Sequence, residues 1–434
     1  MADERFDVVV VGAGPAGAAA ALTAARGGLK VALIERGEYP GAKNTFGGVL
    51  YRKQIEQLIP EFWKSAPLER TVVEQRLWLL AKESAVTVSY RDDRFNDPPN
   101  CWTGQRSKFD QWFAAQAEAA GAVPIYETAV TDAIIEDGRV VGVVTDRDDG
   151  ELRANLVIIA DGVNSLLGKR LRAHREWKPD QVSLAVKEVI ALPREKIQDR
   201  FNLDKSEGCT IELVGETMGM AGLGFLYTNT DTLSLGVGVM VSDLKRLRVK
   251  PYEVLNGLKQ HPMIKRLIEG GEVKEYAGHL IPEGGYTAMP SLSGDGWMIC
   301  GDAAQMVNAV HREGTNLAVE SGRLAGETAV AVHEREDFSS AGLQRYTDAV
   351  RKSIIHKDLK KYKGLHGLLS FPESEKLFGQ LPQAVNDALF EFLSVDGEPK
   401  RDKQKQAFRR LERVAGGRMD LVRMALKGWR AMNG

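Results

Sequence analysis

The chain has 434 residues, enough for two or three domains at the usual length of about 100–200 residues each. Its 43% hydrophobic and 27% charged content is that of a globular protein with a sizeable core, and excludes a disordered chain, a fibrous repeat or a disulfide-held miniprotein. Lys and Arg number 58 against 59 Asp and Glu, a net charge of −1, which speaks against nucleic acid as a partner.

Phe6–Val11 (FDVVVV) is a short β-branched run of the kind that forms a buried parallel strand. It runs into Gly12-Ala13-Gly14-Pro15-Ala16-Gly17, and Ala18–Arg26 then reads as an Ala-rich helix. Gly27-Gly28 ends the helix, and Lys30–Ile34 predicts a second strand closing on Glu35. Glycines at this spacing serve a tight turn, close approach of backbone to a pyrophosphate, and close packing of helix on strand. The helix start adds unpaired N–H groups and a positive dipole end. Glu35, 21 residues beyond Gly14, stands where a carboxylate accepts bonds from ribose hydroxyls. Together these predict a dinucleotide site; the lesser reading is a tight structural turn.

Further along, residues 138–146 and 151–162 read as two strands, the second ending in Asp161-Gly162. Residues 180–285 look like mixed β structure, with strands expected over Ser183–Val189, Cys209–Val214, Leu223–Thr228 and Thr232–Val239. Trp297–Cys300 is a short strand running into Gly301-Asp302. Glu313-Gly314-Thr315-Asn316 then opens a helix over Leu317–Val332. A second helix start is thereby placed beside a Gly-Asp turn, a cradle for ribityl hydroxyls and an anionic ring edge. Taken singly, such Gly-Asp pairs read as turns.

The order of these strings resembles the flavoprotein group of p-hydroxybenzoate hydroxylase and geranylgeranyl reductase. It is more narrowly similar to electron-transfer-flavoprotein:quinone oxidoreductase, and most of all to the FixC (EtfC) subunits of FixABCX complexes. The discriminating segments are Lys43-Asn44-Thr45-Phe46-Gly47-Gly48-Val49-Leu50-Tyr51, Ile59–Trp63, and Ala309-Val310-His311-Arg312-Glu313-Gly314-Thr315-Asn316. The resemblance implies FAD as cofactor. Gly12, Gly14, Pro15, Ala16, Gly17, Glu35 and Arg36 would hold its ADP half, Arg106 would reach the cofactor, and Val130 would flank the adenine. Asp302, with Gly301, would bind the ribityl–pyrophosphate part; Asp161 and Gly162 complete this frame. Gly47, Gly48, Gly314, Thr315 and Asn316 would surround the isoalloxazine, and Lys43 and Asn44 would also bind the cofactor. The implied fold class is α/β: an FAD-binding Rossmann-like domain of the p-hydroxybenzoate-hydroxylase type, an inserted β-sheet substrate domain roofing the flavin, and a helical C-terminal region. The expected limits are 1–75, 100–175 and 277–335 for the FAD domain, 76–99 and 176–276 for the β-rich domain, and 336–434 for the helices.

By the same resemblance, Gly222, Leu223 and Gly224 match a stretch beside a quinone head. In the residues themselves, an ordinary strand with glycines at a bulge is an equal reading. His311 has the chemistry of a proton carrier, or of a structural hydrogen-bonding histidine. No second strand–GxGxxG–helix follows, so the flavin's electrons are expected from another protein. Cys101, Cys209 and Cys300 lie about a hundred residues apart, without CxxC; they predict free thiols, a reducing compartment and no metal site. The family implication is a subunit of an electron-bifurcating complex. It would take electrons from electron-transfer flavoprotein subunits (FixA/FixB-like), use a ferredoxin-like FixX-type iron–sulfur partner, and pass electrons to a membrane quinone. A prenyl-reductase or hydroxylase acting on an apolar molecule is the second reading, and an FAD-stabilised docking subunit the third.

No run of about eighteen apolar residues is present, and the start MADERFDVVV is acidic, so a cytoplasmic chain, peripheral on the cytoplasmic face of the membrane, is expected. Residues 400–434 hold eleven basic and three acidic residues, +8, which leaves −9 on residues 1–399. Met419, Val422, Leu426, Trp429 and Met432 recur at helical spacing among Arg418, Arg423, Lys427 and Arg430. That is a basic amphipathic helix, either membrane-facing or packed on its own domain.

Overall fold

A computed structural model of the chain describes residues 5–42, 48–364, 369 and 371–433. It forms two compact units. Met1–Leu68, Gly104–Gln181 and Leu280–Lys360 make the first; Glu69–Thr103, Val182–His279 and Lys361–Gly434 make the second.

The first unit is built on five parallel strands, in spatial order Trp297–Ile299, Glu151–Ile159, Phe6–Val11, Val31–Ile34 and Val123–Ile125. Val8–Val11 and Leu156–Ile159 are buried, as an all-apolar run in a doubly covered parallel sheet must be. From Phe6–Val11 the chain steps outward to Val31–Ile34. It later returns to the other side of the first strand as Glu151–Ile159. The order therefore reverses between Phe6–Val11 and Glu151–Ile159, and the crevice beyond the carboxyl ends of such a pair is where ligands bind in open α/β sheets. An antiparallel hairpin, Val130–Glu136 with Arg139–Thr145, joins the edge of Glu151–Arg153.

Helix Pro15–Arg26 begins three residues earlier than its Ala run suggests, because Pro15 fits the first helical turn. Helix Thr315–His333 lies close against it: a Cβ on Gly322 would strike the Ala16 carbonyl, and one on Gly326 would fall 2.6 Å from Thr23 Cβ. Helix Ser340–Lys352 belongs to this unit, where Tyr346 Oη donates to the Ile299 carbonyl at 3.0 Å. The helices after residue 336 thus do not all stand apart as one region.

The second unit carries a sheet ordered Glu272–Pro282, Val182–Ala191, Thr232–Met240, Gly222–Thr228, Glu207–Val214, Leu68–Ala81 and Cys101–Gly104, with Ser84–Arg91 paired to Leu68–Ala81. Val73, Ile211, Leu213, Leu226, Leu235 and Val237 of this sheet bury against Ile197, Phe201, Val254, Leu255 and Leu258 from the covering helices. Arg70, 1% exposed, sends its guanidinium to the carbonyls of Asn229, Glu207 and Thr230 at 2.6, 3.0 and 3.1 Å, fixing three loops at once. Strand Gly222–Thr228 runs in unbroken register with both neighbours, so no bulge explains its glycines. Close packing does. A Cβ on Gly222 would hit the Gly238 carbonyl, and one on Gly224 would sit 3.0 Å from Leu213 and Leu258. Helices Leu381–Leu393, Lys400–Ala415 and Arg418–Asn433 complete the unit, the first tied in by Asn386 Nδ2 donating to the Leu79 carbonyl at 2.9 Å. Among the described residues no helix is long and apolar enough to cross a membrane.

Candidate functional site

The three glycines of the first turn differ in what the chain asks of them. Gly12 has φ +100°, a left-handed conformation costly for any side chain, and a Cβ there would strike the Ala160 carbonyl. A Cβ on Gly17 would strike the carbonyl of Gly12 itself. Gly14 is unlike both. Its φ of −68° and ψ of −179° suit any residue, and a Cβ there meets nothing within 4 Å. The space above Gly14 is open, at the start of a helix whose first-turn N–H groups point outward.

Around that opening, each neighbouring strand ends in an acid. Glu35, after Val31–Ile34, accepts from Ala13 N at 3.0 Å and Gly37 N at 2.8 Å. Oε2 thus braces the glycine turn and Oε1 the loop after Glu35, while Arg36 beside it is exposed. Thr128 N donates to the Glu35 carbonyl at 3.0 Å, bringing the start of strand Val130–Glu136 to the same end of the sheet. Asp161 follows Glu151–Ile159; because Val11 pairs with Ile159, it stands level with Ala13. Its Oδ2 accepts from Leu167 N at 2.9 Å, its Oδ1 is buried without a hydrogen-bond partner, and Gly162 next to it turns at φ +73°. Asp302 follows Trp297–Ile299. It is held by a turn in which Gly301 N donates to Ser321 Oγ at 3.0 Å, and Gly301 packs on Ala16.

Among the described residues, one buried cation faces these acids. Arg106, 6% exposed, pairs with fully buried Asp110 through Nε–Oδ1 at 2.6 Å and Nη2–Oδ2 at 2.8 Å, and its Nη1 lies 3.5 Å from Thr315 Oγ1. Burial pushes the carboxyls of Asp110 and Asp302 upward, and the Arg106 guanidinium opposes it in both. Gly314 precedes helix Thr315–His333. The buried Asn316 donates through Nδ2 to Glu313 Oε1 at 2.9 Å and leaves Oδ1 without a partner.

The turn Gly12–Gly17, Glu35, Arg106, Asp161–Gly162, Gly301–Asp302 and Gly314–Asn316 are thus brought to one end of one sheet. The Gly48 carbonyl accepts from Gly104 N at 3.0 Å within the same unit. Lys43, Asn44 and Gly47 lie outside the described residues. His311 is exposed on the turn Asn308–Glu313, where its carbonyl accepts from Tyr51 Oη at 3.2 Å. Gly222, Leu223 and Gly224 belong to the second unit. Asp110 and Ser321 were not singled out from sequence. Only the i,i+4 spacing of Arg106 and Asp110 on one helix could have flagged that pair. Cys101, Cys209 and Cys300 are all buried, and burial pushes the Cys209 and Cys300 thiols up, away from the reactive thiolate.

The open space over Gly14, the outward N–H groups of Pro15–Arg26 and the unpartnered Asn316 Oδ1 fit a dinucleotide carrying a polar ring system. Residues 7–167 match the family of FAD dependent oxidoreductases, and residues 354–433 match the ETF-QO/FixC family C-terminal domain. A geranylgeranyl bacteriochlorophyll reductase-like protein from Thermoplasma acidophilum shares the fold with a TM-score of 0.73 at 20% identity, over 96% of this chain and 99% of that one. A flavin-dependent brominase shares it with a TM-score of 0.64 at 19% identity, over 94% of this chain and 99% of the other. The protein is an FAD-dependent oxidoreductase.

The curated relatives narrow this class. The FixC protein of Azorhizobium caulinodans is 49% identical over 94% of this chain and 95% of its own, and that of Azotobacter vinelandii 47% identical over 99% of both. A probable electron transfer flavoprotein-quinone oxidoreductase of Escherichia coli (strain K12) is 39% identical over the whole of both chains. The chain belongs to the FixC family.

Proposed function

We propose that the chain is the subunit of a FixABCX-type bifurcating complex that takes electrons from a partner electron-transfer flavoprotein and gives them to a membrane quinone. The observation that carries this reading is full-length similarity, extending through the C-terminal domain, to relatives named FixC and to one named as a quinone oxidoreductase. FAD supplies the redox chemistry, accepting and releasing electrons singly or in pairs. Gly12, Gly14, Pro15, Ala16 and Gly17 would seat the pyrophosphate, Glu35 would take the ribose, and Val130 would flank the adenine. Asp302, Gly314, Thr315 and Asn316 would line the ribityl and ring end, with Arg106 as the cation that offsets negative charge there. Gly222–Gly224 would offer backbone groups to the quinone head, and His311 would serve as a proton carrier. The FixA/FixB-like donor and a FixX-like iron–sulfur partner complete the relay.

The C-terminal helix supports a peripheral position on the membrane. Met419, Val422, Leu426 and Trp429 are 69, 55, 48 and 65% exposed, so much of their apolar surface faces solvent, and basic residues interleave with them. Single-turnover reduction of the FAD-loaded chain tests the donor assignment. NADH and NADPH should bleach its flavin slowly, and the reduced partner flavoprotein rapidly. Rapid bleaching by either nicotinamide alone would favour a hydroxylase-like enzyme and overturn the reading.

A further inference from the structure

The crevice that must admit a diphosphate is already rich in acid. Glu35, Asp161 and Asp302 follow three of the four neighbouring strands, and Asp110 shares the Arg106 charge with Asp302. Against these four, the buried cation is Arg106, and Asp110 takes two of its nitrogens. Glu35 accepts from two backbone donors, and at Asp302 the field of Arg106 opposes the upward push of burial. Asp161 has neither arrangement in full. Oδ2 accepts from Leu167 N, Oδ1 is buried without a hydrogen-bond partner, and the cation in its field is Lys169.

The hydroxyl beside it points to the same imbalance. His174 Nδ1 lies 2.6 Å from the Arg175 carbonyl, which can only accept, so Nδ1 carries the ring proton. Burial and the Lys169 charge hold His174 toward its neutral form. Its Nε2, 2.8 Å from Ser165 Oγ, is therefore the acceptor, and the proton of Ser165 is committed to it. Toward Asp161 the Ser165 oxygen offers lone pairs, which suit a protonated carboxyl. The remaining titratable group on a packed neighbour is the buried Cys300 thiol, which is neutral.

We propose that Asp161 is carried as a neutral carboxylic acid when FAD is bound, and that FAD binding at the adjoining turn takes up one proton onto it. The inference rests on the placement of FAD over Gly12–Gly17. A diphosphate entering beside Ala13 adds negative charge level with Asp161, and protonation removes the one carboxylate there without compensation. In agreement, burial already pushes this carboxyl up to about 6, against the Leu167 amide that pulls it down. The proton comes from solvent and stays on Asp161; no bond of FAD changes.

Titration of the FAD-free full-length chain with FAD tests this. Between pH 7 and 8.5 the Kd should rise about tenfold per pH unit, the slope of one proton taken up. Calorimetry at pH 7 in buffers of differing ionisation enthalpy should show an uptake approaching one proton per FAD. Asp161→Asn, neutral at every pH, should bind FAD with no slope. FAD binding of ordinary strength without proton uptake would overturn the inference while leaving the site intact. Loss of the slope in Asp302→Asn or His174→Gln, with the slope kept in Asp161→Asn, would place the proton elsewhere and also overturn it. FAD binding unaffected by Gly14→Glu would instead overturn the placement on which the inference rests. The calorimetric uptake needs no variant, so a failure of Asp161→Asn to fold leaves the test in force.

Discussion

Replacing Gly14 separates the demands of the fold from those of the cofactor. At Gly12 and Gly17 the chain itself forbids a side chain, since a Cβ would run into the carbonyls of Ala160 and Gly12. At Gly14 it does not: φ is −68° and the surrounding 4 Å are empty. Ala at that position should lower the entropy of the unfolded chain, worth about 0.4–1 kcal/mol. Loss of the favoured helix-preceding glycine offsets a similar amount. The FAD-free Gly14→Ala chain should then unfold within about 0.5 kcal/mol of the unaltered one. Its FAD affinity should nevertheless fall, because a methyl forced against a close-packed ligand costs about 1–3 kcal/mol, or some 5- to 150-fold. Gly14→Glu adds a charge. Two like charges about 4 Å apart at an effective dielectric of about 20 repel by about 4 kcal/mol, close to a thousandfold. Denaturant unfolding of the FAD-free chains and fluorescence titration with FAD measure the two quantities separately. Unchanged FAD affinity in Gly14→Ala would refute the placement of the pyrophosphate, and collapse of its fold would refute the reading of the empty space.

Other consequences are equally direct. Arg106→Ala strands Asp110 in the interior and should cost about 3–5 kcal/mol; the double variant Arg106→Met/Asp110→Leu should recover most of that stability, but not FAD binding, by the same two assays. Asp161 binds its proton more tightly folded, at about 6, than at its ordinary value of 3.8. Its contribution to the FAD-free chain is therefore full below about pH 4 and lost as pH rises through about 6, on the order of 3 kcal/mol, a loss Asp161→Asn should lack when unfolding is followed across that window. A chain ending at Asp402 should keep its FAD and lose salt-sensitive binding to anionic liposomes, each basic residue near the lipid having contributed about 1 kcal/mol. Sedimentation with liposomes at two salt concentrations reads this, and unchanged binding would defeat the membrane reading of the tail.

How far the sequence disclosed the molecule depends on the distance between the parts. Strand Phe6–Val11, its turn, helix Pro15–Arg26 and Glu35 follow one another within thirty residues, so local pattern sufficed to place them. Asp161, Asp302 and Asn316 were marked by their strings, but their approach to Ala13 depends on strand register across more than a hundred residues. Asp110 was overlooked because a carboxylate on a helix reads as a solvated face until Arg106 is seen buried against it. Arg70 left no trace at all. Its acceptors are backbone carbonyls of residues 207, 229 and 230, which any sequence could supply. The glycines at 222 and 224 suggested a ligand or a bulge; the unbroken register excludes the bulge, and close packing within the sheet gives them a further reason that only the folded sheet shows.

The central claim is that electrons leave this flavin for a quinone. It is tested most directly by reducing the FAD of the full-length chain anaerobically, mixing it with a soluble short-chain quinone, and following flavin reoxidation by stopped flow. Rapid, saturable reoxidation that forms quinol in step with oxidised flavin is the predicted result. A reduced flavin that persists in the presence of quinone, yet turns over a prenyl or aromatic substrate, would contradict it.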